Sequence, residues 1–512
     1  MDDSKCLSDA YVRLRAAVSK LGEETAIAGT SDSVAATLPS ATAVQKALSS
    51  LPHRGDAGYL EPRGFDATLD YLVGTVVPAL NGQNLGGRYY GFVTGSTLPV
   101  AEAADNIVTA LDQNLHAHLP AQTVSTSVEA AALEMLLEVV GLGEAGFGGR
   151  IFTTGATSSN VLGLTLGREG VLSMRLDGGP AESVSELGML SACRKAGVSD
   201  IQVLTSMGHS SLYKAASIAG IGRGSVVDLP YSDAEPWRLN VDHVEETLMS
   251  SPGTAFIIVV SAGEVNTGRF ATTGLADMQR LRALADKYGA WLHVDAAFGL
   301  FAMVLPDKPD FARLRQYAQG IELADSITSD AHKLLNVPYD AGIFFSRYPQ
   351  LQHQVFQNAN AAYLGGPSSS SSSSFPAIPS PMNMGIENSR RFRALPIYAV
   401  LLSEGRLGLS TMVSRMVRLA RGVHEILAKI PGYETLGGDS IEDTYIGVLF
   451  WAKDDTVNAN LASRINASRE IYVSPTAWAG HSACRVAVSS WRVAQGDLQI
   501  VERVLRRAVA SV

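Results

Sequence analysis

Residues 254–299 read TAFIIVVSAGEVNTGRFATTGLADMQRLRALADKYGAWLHVDAAFG. Two apolar runs, TAFIIVV and AWLHV, stand on either side of a stretch whose apolar residues recur at the spacing of a helix. Near-continuous apolar strands joined by a helix are typical of a mostly parallel sheet that is covered on both faces. This stretch therefore predicts an α/β fold.

The same alternation of strands and helices extends over residues 86–347. Helical spacing recurs in SSNVLGLTLGREGVL (158–172) and HSSLYKAASIAG (209–220). Further strand-like runs are GRIFTTG (149–155), DIQVLTS (200–206), GSVVDLP (224–230), ADSITSDAHK (324–333) and AGIFFSR (341–347). Ligands of such sheets bind at the carboxyl ends of the strands, so we expect the functional residues directly after the apolar runs.

Changes in composition divide the chain into four segments. Residues 1–85 have helical patterns but little core of their own, which predicts a helical arm that packs on a second subunit. Residues 86–364 form the predicted large α/β domain, and residues 385–512 form a smaller α+β domain. Between them, residues 365–384 begin GGPSSSSSSSFPAIPSP, and so much Ser and Pro predicts a mobile loop.

Composition excludes several classes of protein. With 46% hydrophobic and 18% charged residues, the chain does not resemble a disordered protein. A net charge of −9 disfavours nucleic acid as a partner, and no apolar run approaches the roughly 20 residues of a membrane span. Cys6, Cys193 and Cys484 are too few and too scattered for a disulfide framework or a zinc site. With an N-terminus that lacks the build of a secretory signal, these features predict a cytoplasmic protein without a metal site.

Four polar features follow strand-like runs. They are Lys333 in DAHK, Asp295 after AWLHV, His209 in SMGHSS, and the segment GATSSN (155–160) at the start of a helix. Each has an ordinary structural explanation: an exposed lysine for the first, and a helix cap for each of the others. Together they supply what pyridoxal phosphate requires: a helix N-terminus for the phosphate, a carboxylate for the ring nitrogen, a lysine for the aldehyde and a flat cover for the ring.

Longer motifs carry a resemblance to a known family. The segments FTTGATSSNVLGL (152–164), SMGHSSLYKAA (206–216), HVDAAFG (293–299) and SDAHKLLNVPYDAGIFF (329–345) resemble group II pyridoxal-phosphate-dependent amino-acid decarboxylases, the family of aromatic-L-amino-acid and glutamate decarboxylases. The resemblance spans roughly residues 85–410. It implies pyridoxal phosphate as the cofactor, an amino acid as the substrate, fold type I, and a homodimer whose active sites lie between the subunits.

The resemblance also implies roles for single residues. Lys333 matches the lysine that binds the cofactor aldehyde covalently, and Asp295 matches the partner of the ring nitrogen. His209 matches the histidine stacked on the ring, and Ala297 matches the small residue beneath the other face. With His332 beside the lysine, Lys333, Asp295 and His209 are the expected catalytic residues.

Further matches concern the phosphate and the lysine's neighbours. Ala156 and Thr157 match phosphate ligands at the start of a helix. Asp330 and His332 flank Lys333 as in the family, although some relatives have Asn at the position of Asp330. The resemblance thus implies that Asp330 contacts the cofactor.

The substrate pocket gives conflicting signals. Phe92 and Thr94, in GFVTGS, match a stretch that lines the pocket in the family. With Tyr89 and Tyr90, Phe92 favours an aromatic or apolar substrate, unless these rings simply pack in the core. Glu264 stands where many relatives have Thr, and a carboxylate there would favour a cationic or polar side chain.

The outcome of the reaction is also open. One hypothesis is release of CO2 and an amine from an L-amino acid. Another is an aldehyde synthase, which yields aldehyde, ammonia and peroxide, or a different carbon–carbon lyase, because residues 365–384 lack the family's loop tyrosine and carry Phe375 instead. An inactive scaffold protein would have lost Lys333 or Asp295, and a dehydrogenase would need a GxGxxG motif that is missing after the first strand.

Overall fold

The strands lie in two sheets within the described residues, which are 3–23, 35–176, 179–358, 375–438 and 440–510 of a computed structural model. They are β1 (Tyr89–Tyr90), β2 (Gly149–Thr153), β3 (Asp200–Thr205), β4 (Val226–Asp228), β5 (Thr254–Ser261), β6 (Trp291–Asp295), β7 (Ser326–Asp330), β8 (Gly342–Ser346), β9 (Tyr433–Leu436), β10 (Gly447–Ala452), β11 (Tyr472–Trp478) and β12 (His481–Ala487). Each predicted strand-like run coincides with one of β2 to β8.

The helices connect and cover these strands. They are α1 (Asp3–Glu23), α2 (Ala41–Ser50), α3 (Phe65–Tyr71), α4 (Pro99–Leu111), α5 (Ser125–Val139), α6 (Ala156–Ser173), α7 (Val184–Leu187), α8 (Met189–Lys195), α9 (Ser210–Ile218), α10 (Val241–Ser250), α11 (Leu275–Tyr288), α12 (Ala312–Tyr317), α13 (Ala331–Leu334), α14 (Pro349–Phe356), α15 (Ala394–Lys429, interrupted at Gly405), α16 (Asp455–Asn458), α17 (Leu461–Asn466) and α18 (Asp497–Val509). Among the helices of the described residues, none has the length and apolar character needed to cross a membrane.

The larger sheet has seven strands in the order β2-β8-β7-β6-β5-β3-β4. The strands β4, β3, β5, β6 and β7 pair in parallel, whereas β8 runs antiparallel to both β7 and β2. The predicted α/β class with a mostly parallel sheet is therefore confirmed. Parallel strands bring their carboxyl ends to one edge, which is where the candidate residues lie.

Helix α6 packs closely on this sheet because it carries glycines on the packed face. A Cβ at Gly163 would lie 2.4 Å from Cε1 of His293, and one at Gly170 would lie 2.8 Å from the Trp291 ring. Glycine lowers helix stability by roughly 1 kcal/mol relative to alanine. At these positions it allows α6 to lie close to the side chains of β6. The buried core formed with α6 includes Leu164, Val203, Ile257 and Phe344. This packing brings the first turn of α6 to the carboxyl edge of the sheet.

The chain divides into two compact units. The first unit comprises Met1–Thr94, Gly422–Leu436 and Val448–Val512, and the second comprises Gly95–Arg421 and Gly437–Gly447. The seven-stranded sheet belongs to the second unit. The predicted domain bounds, which group 86–94 with the large sheet and 385–421 with the C-terminal part, follow composition and not these units, and they stay a prediction.

The first unit contains the smaller sheet, in the order β1-β11-β12-β10-β9, and the helices α1 to α3 that the pattern of the N-terminal segment predicts. Segments far apart in the chain are joined here by ion pairs whose carboxylates are buried. Arg88 donates to Asp497 at 3.0 Å, and the buried carboxylate of Glu470 pairs with Arg503 and Arg507. The stretch directly after the N-terminal segment is thereby tied to the C-terminal helix α18.

Candidate functional site

The carboxyl ends of β6 and β7 form the edge that carries the candidate site. Strand β6 ends at Asp295 and β7 ends at Asp330, with Asp295 opposite Thr328 in the parallel register. Beyond the end of β6, the carbonyl of Ala297 accepts from the N–H of Asp330 at 3.0 Å. Because this bond continues the pairing, Asp295 and Asp330 are held on one rigid edge.

Lys333 extends from α13, directly after β7, to the carboxylate of Asp330. Its Nζ lies 2.9 Å from Oδ2 of Asp330 and 5.6 Å from the centroid of the Phe298 ring. The lysine side chain keeps 17% of its surface exposed, compared with 3% for Asp330. The amine is therefore packed against a carboxylate and an aromatic face, yet a small molecule can reach it.

The turn after Lys333 is held by Asn336, which no sequence motif singled out. Its Nδ2 donates to the carbonyl of Lys333 at 3.2 Å, and its Oδ1 accepts from the N–H of Ser96 at 3.2 Å. Asn336 has a φ of 56°, a conformation that Asn tolerates better than most residues. Gly95 packs on the same turn, where a Cβ would lie 2.2 Å from the carbonyl oxygen of Lys333. The backbone of Lys333 is thus clamped.

His332 is buried beside the lysine. Its Nδ1 accepts from the N–H of Ala341 at 3.2 Å, so in the neutral ring the proton lies on Nε2. The Tyr339 ring lies against it, with centroids 4.3 Å apart. Burial lowers the pKa of His332 below the usual value of 6.5, so the ring is neutral at pH 7.

The first turn of α6 contacts Asp330, the carboxylate that pairs with Lys333. The N–H of Ala156 donates to Oδ1 of Asp330 at 2.6 Å, and Ser158 pairs with Thr154 through their hydroxyls at 2.6 Å. Thr157 lies between them in the same turn, half-buried. A helix N-terminus favours negative charge, and here the carboxylate of Asp330 already supplies one. The two predicted phosphate ligands, Ala156 and Thr157, are therefore next to an anion of the protein itself.

Asp295 is buried, with 7% exposure, at the end of β6. Its Oδ1 accepts from the N–H of Ala297 at 3.3 Å, which is the capping bond that its position in the sequence allows. Its Oδ2 accepts from Nδ2 of Asn160 on α6 at 2.8 Å. These two donors offset part of the cost of burying the carboxylate, and the second one comes from a different element.

His209 caps helix α9. Its Nδ1 accepts from the N–H of Ser211 at 3.2 Å and pairs with the Ser211 hydroxyl at 2.7 Å. The histidine as a whole is exposed. The cap is the ordinary explanation for this residue, and it also fixes the orientation of the ring, so a stacking role stays a compatible prediction.

The carboxylate of Glu264 forms hydrogen bonds within its own turn. Its carboxylate accepts from the N–H and the side-chain amide of Asn266 at 2.9 and 3.0 Å, and from the N–H and hydroxyl of Thr267 at 2.8 and 2.9 Å. These four bonds close the turn that follows β5. The structure thus gives the departure from Thr at this position a turn-forming function, and a contact of Glu264 with substrate stays a prediction.

The predicted pocket residues Phe92 and Thr94 belong to the first unit. Phe92 is 60% exposed, has a φ of 56°, and donates its N–H to the Ser474 hydroxyl at 3.1 Å. Thr94 is buried. Tyr89 and Tyr90 are buried as well, and Tyr89 stacks on Tyr472 with centroids 4.6 Å apart. Of the three aromatic residues, Tyr89 and Tyr90 therefore pack in the core, and only Phe92 is available to a ligand.

Phe375 lies far from the candidate site. Residues 365–374 of the predicted loop are outside the described residues, but Phe375 itself packs on the core and meets the His353 ring edge-on, with centroids 6.0 Å apart. His353 lies on α14, and Leu351 of the same helix lies against Gly170 of α6. Gly170 is roughly 20 Å along α6 from its first turn at 1.5 Å per residue. Within the chain, Phe375 is not a residue of the carboxyl edge.

The second unit fits pyridoxal phosphate, with one feature that opposes it. An accessible lysine amine, a buried carboxylate, a capped imidazole and a helix N-terminus all lie at or next to one sheet edge. The opposing feature is Asp330, since a phosphate at the first turn of α6 would share that turn with a carboxylate. The residues at this edge therefore match the groups that pyridoxal phosphate requires, and Asp330 places a carboxylate where its phosphate is expected.

Comparisons with known proteins agree with this chemistry. Residues 100–453 match the family profile described as "Pyridoxal-dependent decarboxylase conserved domain". L-2,4-diaminobutyrate decarboxylase of Acinetobacter baumannii is 26% identical over 405 residues, which cover 74% of this chain and 71% of that protein. Phenylacetaldehyde synthase of Arabidopsis thaliana is 25% identical over 287 residues, 55% and 56% of the two chains.

A solved structure supports the fold alone. The crystal structure of Oryza sativa TDC with PLP and tryptamine superposes with a TM-score of 0.80 over 99% of this chain and 98% of that one, at 20% identity.

Proposed function

The chain belongs to the pyridoxal-dependent decarboxylases and is a pyridoxal-phosphate-dependent carboxy-lyase of fold type I, and from this premise we propose the roles of its residues. Lys333 binds the cofactor aldehyde covalently through Nζ, and Asp295 holds the ring nitrogen. The observation that carries the proposal is the placement of an accessible lysine amine and a buried carboxylate on the paired ends of β7 and β6.

The remaining residues orient and shield the cofactor. Pyridoxal phosphate supplies an electron sink for the pair of electrons left when CO2 departs. His209 covers the ring, Ala297 leaves space on its other face, and Thr157 with the first turn of α6 holds the phosphate. His332 and His209 each accept a backbone N–H at Nδ1, so in the neutral ring each presents its Nε2–H group as a hydrogen-bond donor.

We propose that the product is the amine and that the substrate carries an aromatic or apolar side chain. The contact of Phe375 with His353 of α14 in the same chain supports the amine, because the aldehyde hypothesis depends on this phenylalanine in the loop at the site. The match of Phe92 to a pocket-lining position of the family supports an apolar side chain, and its ring is exposed. The four bonds of Glu264 within its own turn weaken the argument for a cationic substrate.

Product analysis under air tests this proposal. The purified protein is incubated with each L-amino acid and with L-2,4-diaminobutyrate, while CO2, amine and H2O2 are measured in one sample. We expect CO2 and amine in equal amounts, no peroxide, and turnover highest with an aromatic or apolar amino acid. Phe375→Tyr should leave the products unchanged. Peroxide from wild-type protein, lost in Phe375→Tyr, would show that this residue acts at the site.

Asp330→Asn is expected to strengthen cofactor binding. The amide keeps an acceptor for the N–H of Ala156 but removes a charge beside the phosphate, and we expect the cofactor Kd to fall by about tenfold at pH 8. Asp228→Asn is the matched control, since Asp228 ends edge strand β4, three strands from β6 in the sheet. Equilibrium dialysis measures both. A weaker Kd for Asp330→Asn would mean that the carboxylate helps to hold the cofactor.

We also propose a cytoplasmic homodimer that shares its active sites. The described part of the N-terminal segment exposes large apolar side chains, among them Val12 at 69% and Leu60 at 86%. A second copy that covers them should bury well above roughly 2,000 Å², as obligate interfaces do. Sedimentation at micromolar concentration should give a single dimeric species. A monomer with full activity would contradict the proposal.

A further inference from the structure

Asn160 joins Asp295 to His293, a histidine in the middle of β6. Its Nδ2 lies 2.8 Å from Oδ2 of Asp295, and its Oδ1 lies 3.0 Å from Nε2 of His293. On the far side, Nδ1 of His293 lies 2.8 Å from the hydroxyl of Ser326, which also accepts from Nε1 of Trp291 at 2.9 Å. Asn160, His293 and Ser326 have no exposed surface. The carboxylate at the cofactor edge is therefore the end of a buried chain of hydrogen bonds.

The donors and acceptors of this chain have one consistent arrangement. An ionised Asp295 only accepts, so Asn160 turns its amide nitrogen to the carboxylate and its oxygen to His293. His293 must then donate from Nε2 and accept at Nδ1 from the Ser326 hydroxyl, while the indole of Trp291 can only donate. Burial lowers the pKa of His293 to about 4, which agrees with the neutral ring that this arrangement needs at pH 7.

The chain branches at Asn160. The same Nδ2 lies 3.3 Å from the hydroxyl of Ser211, and this hydroxyl pairs with Nδ1 of His209 at 2.7 Å. The two hydrogens of one amide thus have two acceptors, one leading to Asp295 and one to His209. These are the residues proposed for the ring nitrogen and for the ring face.

The fold is built to admit His293 at this point. Gly163 lies one turn after Asn160 on α6, and a Cβ there would lie 2.4 Å from Cε1 and 2.8 Å from Nδ1 of His293. The histidine ring therefore occupies the space of the missing side chain. A buried polar network whose members are all paired is rigid, and it costs stability when one member is removed.

We propose that Asn160 and His293 are positioning residues for the cofactor: Asn160 orients Asp295 and His209 together, and His293 fixes the amide of Asn160. The inference rests on the proposed function, because it takes Asp295 as the partner of the ring nitrogen. Neither residue needs to touch the cofactor. Residues behind a binding group act by holding it in the productive orientation before the ligand arrives.

The test compares two ligands that differ only at the ring nitrogen. Full-length protein is freed of cofactor, and its Kd is measured for pyridoxal phosphate and for the analogue with CH in place of that nitrogen. Wild-type protein should prefer pyridoxal phosphate. In Asn160→Leu, a substitution of similar shape, we expect this preference to fall by about tenfold or more, the scale of one hydrogen bond to a charged group.

Gln352→Leu is the matched control. Gln352 is a fully buried amide that donates to the carbonyl of Met384 at 2.7 Å, and it lies on α14, away from the carboxyl edge. We expect this variant to lose stability while it keeps the wild-type preference between the two ligands. This control would show that loss of stability alone does not change the preference between the two ligands.

A pair of variants at His293 tests the same chain of hydrogen bonds independently. These variants replace Asn160→Leu in the test if that variant does not fold. His293→Gln retains an N–H donor toward Asn160 and should keep the preference, whereas His293→Leu should lose it. Wild-type preference in Asn160→Leu or in His293→Leu would overturn the inference and leave the assignment of Asp295 intact. If the wild-type protein itself binds both ligands equally, the assignment of Asp295 is wrong and the positioning roles fall with it.

Discussion

Replacing Lys333 with alanine is expected to remove the covalent link to pyridoxal phosphate and almost all turnover. The reason is the position of Nζ, which is packed against Asp330 and Phe298 and is still accessible. We expect kcat to fall by about three orders of magnitude or more, the scale seen when a group is removed from a catalytic unit. Dialysed protein should also lose its visible absorbance. Both are measured on the same preparation.

Lys287→Ala is the control for this substitution. Lys287 lies in the last turn of α11 and belongs to no part of the candidate site. The control should keep the absorbance and the rate of the wild-type protein. If Lys333→Ala stays yellow after dialysis and turns over normally, another residue carries the cofactor.

Asp295→Asn is expected to lower the rate by about 10³-fold while the fold persists. The change keeps the shape but removes the negative charge that stabilises the protonated ring nitrogen, and single preorganised electrostatic contacts are worth up to this much. It also places an amide opposite the amide of Asn160, which is 2.8 Å from the carboxylate. Steady-state kinetics and thermal unfolding separate the two effects.

Asp228→Asn is the same chemical change at the end of edge strand β4, and it should leave the rate unaltered. A variant Asp295→Asn with a lower melting temperature and a normal rate would assign Asp295 to the structure of the turn, through its bond with Ala297.

The strands of the second unit could be predicted because their pattern is local. Buried parallel strands need apolar residues at nearly every position, and strand β5 has six in succession, AFIIVV. The rule that ligands bind at the carboxyl ends then directs attention to Lys333 and Asp295 without further information. The position of each of these two residues follows from the end of a single strand, β7 for Lys333 and β6 for Asp295.

Residues that act through partners from distant segments could not be found in this way. In the sequence, Asn160 is only part of a motif at a helix start, and His293 is one more residue of a strand-like run. Their hydrogen bond joins residues 133 positions apart, and nothing in the local pattern of either indicates it. The glycines of α6 were a signal that sequence reasoning did not use, because Gly163 makes room for His293.

For two residues that the sequence singled out, the structure adds contacts that the sequence could not show. The carboxylate of Glu264 closes a turn through Asn266 and Thr267, and its predicted contact with substrate stays a prediction. Phe375 looked like the reactive aromatic residue of a loop because a run of serines gives no register. Its ring meets His353 of α14, a contact between residues 22 positions apart that the sequence does not indicate.

The central claim is that Lys333 is the residue that carries pyridoxal phosphate, and one measurement tests it most directly. The purified protein is reduced with borohydride, digested, and its peptides are mapped by mass spectrometry. We expect the phosphopyridoxyl group on the peptide containing SDAHK, on Lys333, at close to one group per chain. The group on a different lysine, or no modified peptide from a protein that decarboxylates amino acids, would contradict it.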